Sequence, residues 1–277
     1  GDAEVALARA DVVVERTFRF HRHTGVSLET RGILADYDPS EQRLTVHQSH
    51  QTPHQQQDLY ARLLGLPEHK VRVICPDVGG AFGLKHHLYP DELAACAAAV
   101  LLGRPVKFIA DRLESCLSDI HCRDHEVHAR MGFANDGTIV GLAIEDRFNA
   151  GAYGQYPRSS IAEGNQITRL TGAPYRMAHY NAKLKMAFLN RGVLGHIRAV
   201  GHPIAAAVAE ALIDLGARKL NCDALALRRQ NYLADADFPL TSAGGVAFEK
   251  LSFMQCLDKA LSLVDVDEFR RLVDAPL

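Results

Sequence analysis

The feature that most constrains this chain is a strand, a glycine-rich loop and a helix in immediate succession. Val71-Arg72-Val73-Ile74-Cys75 is a short β-branched run halted by Pro76, residues 77–85 carry Gly79, Gly80 and Gly83, and Asp91 to Leu102 reads as an alanine-rich helix closed by Gly103. Small residues at such a junction let backbone N–H groups approach a ligand closely, which is an anion-binding arrangement. Its spacing excludes two common uses. A phosphate-binding P-loop ends in Gly-Lys-Ser/Thr, but Leu84 separates Gly83 from Lys85. A dinucleotide fingerprint needs a glycine where Val78 stands. What remains is a backbone-rich loop bearing one aromatic, Phe82, with a plain tight turn as the alternative.

Around it the pattern predicts an α+β chain of mixed β-sheets packed against helices. Asp2 caps a short helix over residues 1–10, followed by a strand over 12–18. Gly32 to Tyr37 and Arg43 to Gln48 form a hairpin across Asp38-Pro39-Ser40-Glu41. A helix begins at Thr52-Pro53, buries Leu59, Leu63 and Leu64, and ends at Gly65. Residues 106–153 read as β-rich, with a hairpin turn at Asn135-Asp136-Gly137. Helices follow from Pro203 to about Leu220 and from Asp223 to about Leu233, and Ser252 to Val273 offers two more with Asp267 as the cap between them.

At 277 residues the chain makes one large domain or two modest ones. Its 47% hydrophobic and 23% charged residues exclude disorder, and a net charge of −2 leaves no electrostatic footprint for nucleic acid or an anionic membrane. The longest apolar stretch, Leu93 to Leu102, is about half of a membrane span, and no basic-then-apolar leader opens the chain, so a soluble, cytoplasmic protein is expected. Six cysteines without a C-x-x-C pair argue against zinc-ribbon or iron–sulfur ligation within this chain and for small buried hydrophobes.

Three further clusters bear chemistry-capable side chains. His47 to His54 joins a strand to a helix and includes Gln51, whose carboxamide both donates and accepts. His121-Cys122-Arg123-Asp124-His125-Glu126-Val127-His128 would gather three imidazoles on a helix, but the alternation after it argues for a strand, with His125 and His128 on opposite faces as solvated residues. Most of the 14 histidines are expected to be solvated or capping. Arg198, in a small-residue loop before a helix, is either a surface arginine or an anion clamp.

In combination these segments resemble the molybdenum hydroxylases, the xanthine dehydrogenase/aldehyde oxidase family. Gly79-Gly80-Ala81-Phe82-Gly83-Leu84-Lys85 is similar to that family's G-G-G-F-G-x-K loop, and Ser49-His50-Gln51-Thr52-Pro53-His54 to its cofactor-facing glutamine segment. Leu28-Glu29-Thr30-Arg31-Gly32 resembles the M-E-x-R/P-x start of a strand, and Arg198-Ala199-Val200-Gly201-His202-Pro203 the R-G-x-G-x-P loop. The resemblance covers residues 3–240 and implies a first molybdopterin-binding domain over 1–240, built of two intertwined α+β subdomains, with 241–277 as the helical start of the following region.

The family pattern implies roles by position. Gln51 would hydrogen-bond an oxygen ligand of the metal, Phe82 and the Gly83 amide would stand beside it, Gly80 and Ala81 would keep the loop close, and Arg198 would contact the cofactor. No side chain would ligate the metal directly. The implied cofactor is molybdenum–molybdopterin, as such or as its cytosine dinucleotide. The implied reaction is hydroxylation of an N-heterocycle or aldehyde with water as oxygen donor, the electrons leaving through iron–sulfur clusters and FAD in partner subunits or domains. The base, a glutamate, is expected in a second cofactor domain beyond Leu277, and another domain of the large subunit before Gly1, so this portion alone is expected to be inactive. Two departures bear on the substrate: His86 stands where purine enzymes place a carboxylate, in the substrate pocket, and Ala199 replaces a glycine. Nothing before Arg198 resembles the cysteine loop of carbon monoxide dehydrogenases. The alternative from another class is an assembly module of such a complex that no longer binds the cofactor.

Overall fold

Two four-stranded sheets organise residues 1–273, which a computed structural model describes, and the second is inserted between the first two paired strands of the other. Helix α1 (Ala3–Ala8) starts at Asp2, whose carboxylate accepts from the Glu4 and Val5 amides. Strand β1 (Val12–Phe20) follows, but its antiparallel partner appears only after the inserted sheet is complete.

In that insertion β2 (Gly32–Asp38) and β3 (Arg43–Gln48) form the expected hairpin. Helix α2 (Pro53–Leu64) crosses over to β4 (Val71–Ile74), parallel to β3; α3 (Pro90–Leu102) then leads to β5 (Val106–Ile109) beside β2. The order is β4-β3-β2-β5. Ile33, Ala35, Leu44 and Val46 bury one face of this sheet under Tyr60 of α2 and the small residues of α3, such as Ala95 and Ala99, which let that helix lie close.

After α4 (Arg112–Ser118) the chain returns as β6 (His125–Phe133) and β7 (Ile139–Asn149), joined at the Asn135-Asp136-Gly137 turn. Helix α5 (Ala162–Leu170) precedes β8 (Tyr180–Ala187), parallel to β7, and completes the order β1-β6-β7-β8. Helices α6 (His202–Leu220) and α7 (Ala224–Asn231) follow, the second capped by Asp223. Val208, Leu212 and Ile213 of α6 pack on Val127, Met131 and Phe133. A Cβ at Gly216 would stand 2.4 Å from the Phe133 ring, which explains a mid-helix glycine that costs about 1 kcal/mol in propensity. Strands β9 (Leu240–Thr241) and β10 (Ala247–Phe248) pair, and α8 (Phe253–Leu261) and α9 (Val266–Val273) end the described chain.

Several local expectations are corrected. The stretch 106–153 is interrupted by α4, signalled by Asp111 and Glu114, which form a reciprocal capping box. Helix α5 and β8 are additions to the expected elements, although Tyr180, Ala182, Leu184 and Met186 of β8 alternate with Asn181, Lys183 and Lys185 as a strand should. Leu63 is 52% exposed, because α2 turns Tyr60 toward the sheet instead. Asp265, rather than Asp267, receives the Glu268 amide at the start of α9. Cys116, Cys222 and Cys256 are exposed; the buried cysteines are Cys96 and Cys122. Residues 274–277 of the expected 241–277 region lie outside the described residues.

Candidate functional site

Gln51 lies where β3 hands over to α2, and its backbone N–H donates to the Lys85 carbonyl at 3.0 Å. This tie places its side chain against the glycine loop, where Oε1 accepts from the Gly83 amide at 3.1 Å. Gly83 has φ +96°, and an added Cβ would stand 2.5 Å from the His196 carbonyl oxygen. Only glycine can fill that position while the loops at 79–83 and 195–201 touch. The second loop answers with Arg198, whose N–H donates to the Phe82 carbonyl at 2.7 Å. Its guanidinium carbon stands 5.5 Å from the centre of the Phe82 ring.

The structure therefore brings Gln51, Phe82, Gly83 and Arg198 together from three separated segments. Gly80 and Ala81 lie in the same loop. Among the described residues the Arg198 side chain makes no hydrogen bond or ion pair, the Gln51 amide nitrogen donates to nothing, and the N–H groups of Gly80, Ala81 and Phe82 meet no acceptor. A guanidinium, a carboxamide and free backbone amides gathered around an exposed aromatic ring form a donor set for a polar, anionic ligand.

Behind the loop stands a residue that the motif marked but to which no role was attached. Glu29 accepts from the Gly79 amide at 2.6 Å, from Ser49 Oγ at 2.5 Å and from Lys85 Nζ at 2.8 Å. Burial raises its pKa, but these donors outweigh that effect and hold the carboxyl below its ordinary range. Lys85 is buried, so the loop is stitched from both of its ends to one carboxylate.

Neutral imidazoles pack beside these groups, against the expectation of solvated histidines. His50 Nδ1 accepts the Thr52 amide at 3.1 Å, which leaves the proton on Nε2, 3.3 Å from the His87 carbonyl. His87 Nε2 accepts the His196 amide at 3.3 Å. Burial pushes His50 down to about 4 and His87 to about 3, so both stay neutral at pH 7. His86 is half-buried; burial first and then Arg158 lower its pKa as well, and its ring meets His87 edge-on rather than Gln51 or Arg198.

The family model for the molybdopterin cofactor-binding domain matches residues 1–232. This chain belongs to that family. It is 32% identical to the nicotine 6-hydroxylase large subunit of Paenarthrobacter nicotinovorans, over 99% of this chain and 34% of that protein. It is 29% identical to the carbon monoxide dehydrogenase large chain of Hydrogenophaga pseudoflava, over 96% of this chain and 33% of that protein. Among solved structures, quinoline 2-oxidoreductase from Pseudomonas putida 86 superposes with a TM-score of 0.94 at 29% identity, covering 98% of this chain and 34% of that one. The chain thus spans about a third of the length of the curated relatives it matches.

One cluster of this molybdopterin-binding domain differs from its reading in the sequence. His125 and His128 do lie on opposite faces of β6, but His125 is buried, stacked on Phe148 with ring centres 4.8 Å apart. Its Nδ1 is 2.9 Å from both Asp146 oxygens and its Nε2 is 3.5 Å from Glu163. Burial alone would lower its pKa, but the two carboxylates overcome that and raise it to about 9. At this end of the strand the face is closed by Glu163 of α5, a helix not among those expected from the sequence. Among the described residues no three His, Cys, Asp or Glu side chains group as a metal site, and no helix is long and apolar enough to cross a membrane. An open cleft of about 480 Å³ near Phe20, Phe148, Met186 and Leu189 contains none of the predicted site residues.

Proposed function

We propose that this domain forms one wall of the molybdenum–molybdopterin site in the large subunit of a molybdenum hydroxylase, with residues 1–240 as the cofactor-binding unit. The observation that carries the reading is the convergence of Gln51, Phe82, Gly83 and Arg198, tied to one another through the Gly83 amide and the Phe82 carbonyl, with the Arg198 guanidinium, the Gln51 amide nitrogen and the Phe82 N–H left uncommitted. That donor set fits the group: Arg198 and the Gly80, Ala81 and Phe82 amides offer charge and N–H groups to anionic oxygens, and the Gln51 amide nitrogen offers one more donor. When bound, the cofactor supplies a two-electron oxidation of a substrate carbon, with water as the oxygen source.

The residues of this chain then bind, orient and exclude water. Gln51 is aimed through its bond to Gly83, and Arg198 through the Phe82 carbonyl. Phe82, 42% exposed, presents an aromatic surface to substrate, and burial, then Arg158, lowers the pKa of His86 and favours its uncharged form. These features suit an uncharged N-heterocycle, in keeping with the names of the nicotine and quinoline relatives; an aldehyde is the second substrate class. Iron–sulfur and FAD subunits in the cytoplasm are the proposed electron acceptors, and the cytosine dinucleotide is a proposed form of the cofactor.

The test uses the complete subunit, co-expressed with its partner subunits in a molybdate-supplied host. Stoichiometric molybdenum and fluorescent oxidised pterin are expected. Gln51→Ala is expected to keep the thermal midpoint and lose about 100-fold in turnover, the scale of removing one preorganised donor. A folded complex free of metal and pterin would instead favour the assembly-module reading.

A further inference from the structure

The loop that carries Arg198 cannot hold its shape by itself. Ala199 and Val200 both have left-handed backbones, with φ +68° and +47°, conformations that an alanine disfavours and a β-branched valine disfavours more. Three local hydrogen bonds, Val200 N–H to Ile197 O at 2.8 Å and the His202 N–H and Nδ1 to Ala199 O at 2.9 Å each, lie inside the loop. The remaining contacts come from elsewhere in the chain.

We propose that Arg123 is the positioning residue for Arg198, locked in place by a buried Glu163–His125–Asp146 set; this rests on the reading that Arg198 contacts the cofactor. The Arg123 guanidinium donates through Nη1 to both the Val200 carbonyl and Glu163, and its Nη2 is 3.4 Å from the Arg198 carbonyl. It therefore grips the loop backbone on the carbonyls of Arg198 and Val200, which bracket the first left-handed residue. Arg123 is itself left-handed, as is Asp124, with φ +67° and +66°. This kink, just before β6 begins, turns the arginine toward the loop, and the Arg123 amide donates to Glu163 at 3.0 Å.

Glu163 belongs to α5, and the same helix holds the end of the loop. Gln166 Oε1 accepts the Gly201 amide at 3.0 Å, and a Cβ at Gly201 would stand 2.5 Å from the Glu163 carbonyl oxygen. The charges are arranged so that none is left alone in the interior. Glu163 faces Arg123 on one side and His125 on the other, and His125 faces Asp146 across its other nitrogen. All four side chains are at most 8% exposed, which makes the set rigid once it is complete. A guanidinium that served only to neutralise Glu163 would have no need to spend its other donors on two carbonyls of the Arg198 loop. A planar fork can do all of this at once, and an ammonium cannot.

The experiment compares Arg123→Lys, Glu163→Gln and Arg198→Ala in the complete holoenzyme complex. The readouts are molybdenum and pterin per subunit, the paramagnetic resonance signal of partly reduced enzyme, and the thermal midpoint. Arg123→Lys keeps the positive charge, and it is expected to lower cofactor content at least threefold and to shift the resonance signal in the same direction as Arg198→Ala. Glu163→Gln retains a hydrogen-bond acceptor for Arg123, and it is expected to produce the same shift to a smaller degree, which keeps the test available if the lysine variant does not fold. If Arg198→Ala alters loading and signal while the folded Arg123 and Glu163 variants match wild type, the positioning role is wrong and the cofactor contact stands. If Arg198→Ala leaves both unchanged, the cofactor contact fails and the positioning role falls with it.

Discussion

The glycine loop and the arginine loop meet at Gly83 and Arg198, yet they keep their shapes by opposite means. The first is shaped largely from within: although Phe82 is itself left-handed at φ +52°, glycine at 80 and 83 permits the other left-handed turns, and at 83 a contact that no side chain could share. Its outside support is Glu29, whose side chain remains 43% exposed, with the Gln51 carboxamide on the Gly83 amide and the Arg198 N–H on the Phe82 carbonyl; among the described residues none of these is a buried charge cluster. The second loop has alanine and valine at its left-handed positions and is shaped from without, by a guanidinium and three ionisable partners sealed from water. Both loops carry a family motif, but what clamps the second, Arg123 and Glu163, lies outside its motif.

The largest expected effect tests the first half of that contrast. Gly83→Ala would drive a Cβ into a backbone oxygen that cannot swing aside, in a conformation that already disfavours alanine. A loss of about 3 kcal/mol or more in unfolding free energy is expected, along with near-complete loss of molybdenum from the assembled complex. Gly65→Ala is the matched control, since φ there is +69° but nothing lies within 4 Å of the new methyl. It should cost only about 1 kcal/mol and leave loading intact. Equal losses in the two variants would mean that left-handed backbone alone, and not the meeting of the loops, explains the glycine at 83.

The legibility of the site followed the same division. Gln51, Phe82, Gly83 and Arg198 could be named because their segments together resemble the family's motifs; residue types and spacing alone left a tight turn and a surface arginine open. The structure brings these four together. Arg123, His125 and Glu163 could not be named as a set, since Arg123 and Glu163 are 40 residues apart and Arg123 and Val200 are 77 apart. Alternation along β6 correctly separated the faces of His125 and His128, but it cannot say what covers a face. Most of that face is covered by α6, which the sequence did signal; only its His125 end is closed by Glu163 of α5, a nine-residue helix without a side-chain cap. Both sheets show the same limit: the hairpins β2–β3 and β6–β7 were readable from their turns, whereas the pairing of β1 with β6 across the inserted sheet was not.

Acid and alkali should separate the two supports. His125 titrates in the folded protein at about 9, against about 6.5 when unfolded, so its stabilising contribution is complete below pH 6.5 and is lost as the pH rises through 9. His50 and His87 are held neutral, at about 4 and about 3, so the unfolded chain takes up protons first and stability falls as the pH drops from 6.5 toward those values. Thermal midpoints measured from pH 5 to 9.5 should therefore peak between the two limbs. His125→Gln should flatten the alkaline limb and leave the acid limb in place; an unchanged alkaline slope would show that the carboxylate pair does not hold a charged imidazole.

The smallest effect probes whether the outside grip on the arginine loop works against a real strain. An alanine in the left-handed region is disfavoured by roughly 1–2 kcal/mol, and a glycine there is not, although glycine gives back roughly 0.5–1 kcal/mol through the greater freedom of the unfolded chain. Ala199→Gly, at φ +68°, should therefore stabilise the folded domain by about 1.5 kcal/mol at most, a rise of no more than about 6 °C in the thermal midpoint. The same substitution in an Arg123→Lys background should give a smaller gain, because a loop freed from its clamp can relax the alanine without help. Equal gains in both backgrounds would mean that the turn holds its own shape, and the contrast between a self-shaped and a neighbour-shaped loop would then rest on Gly83 alone.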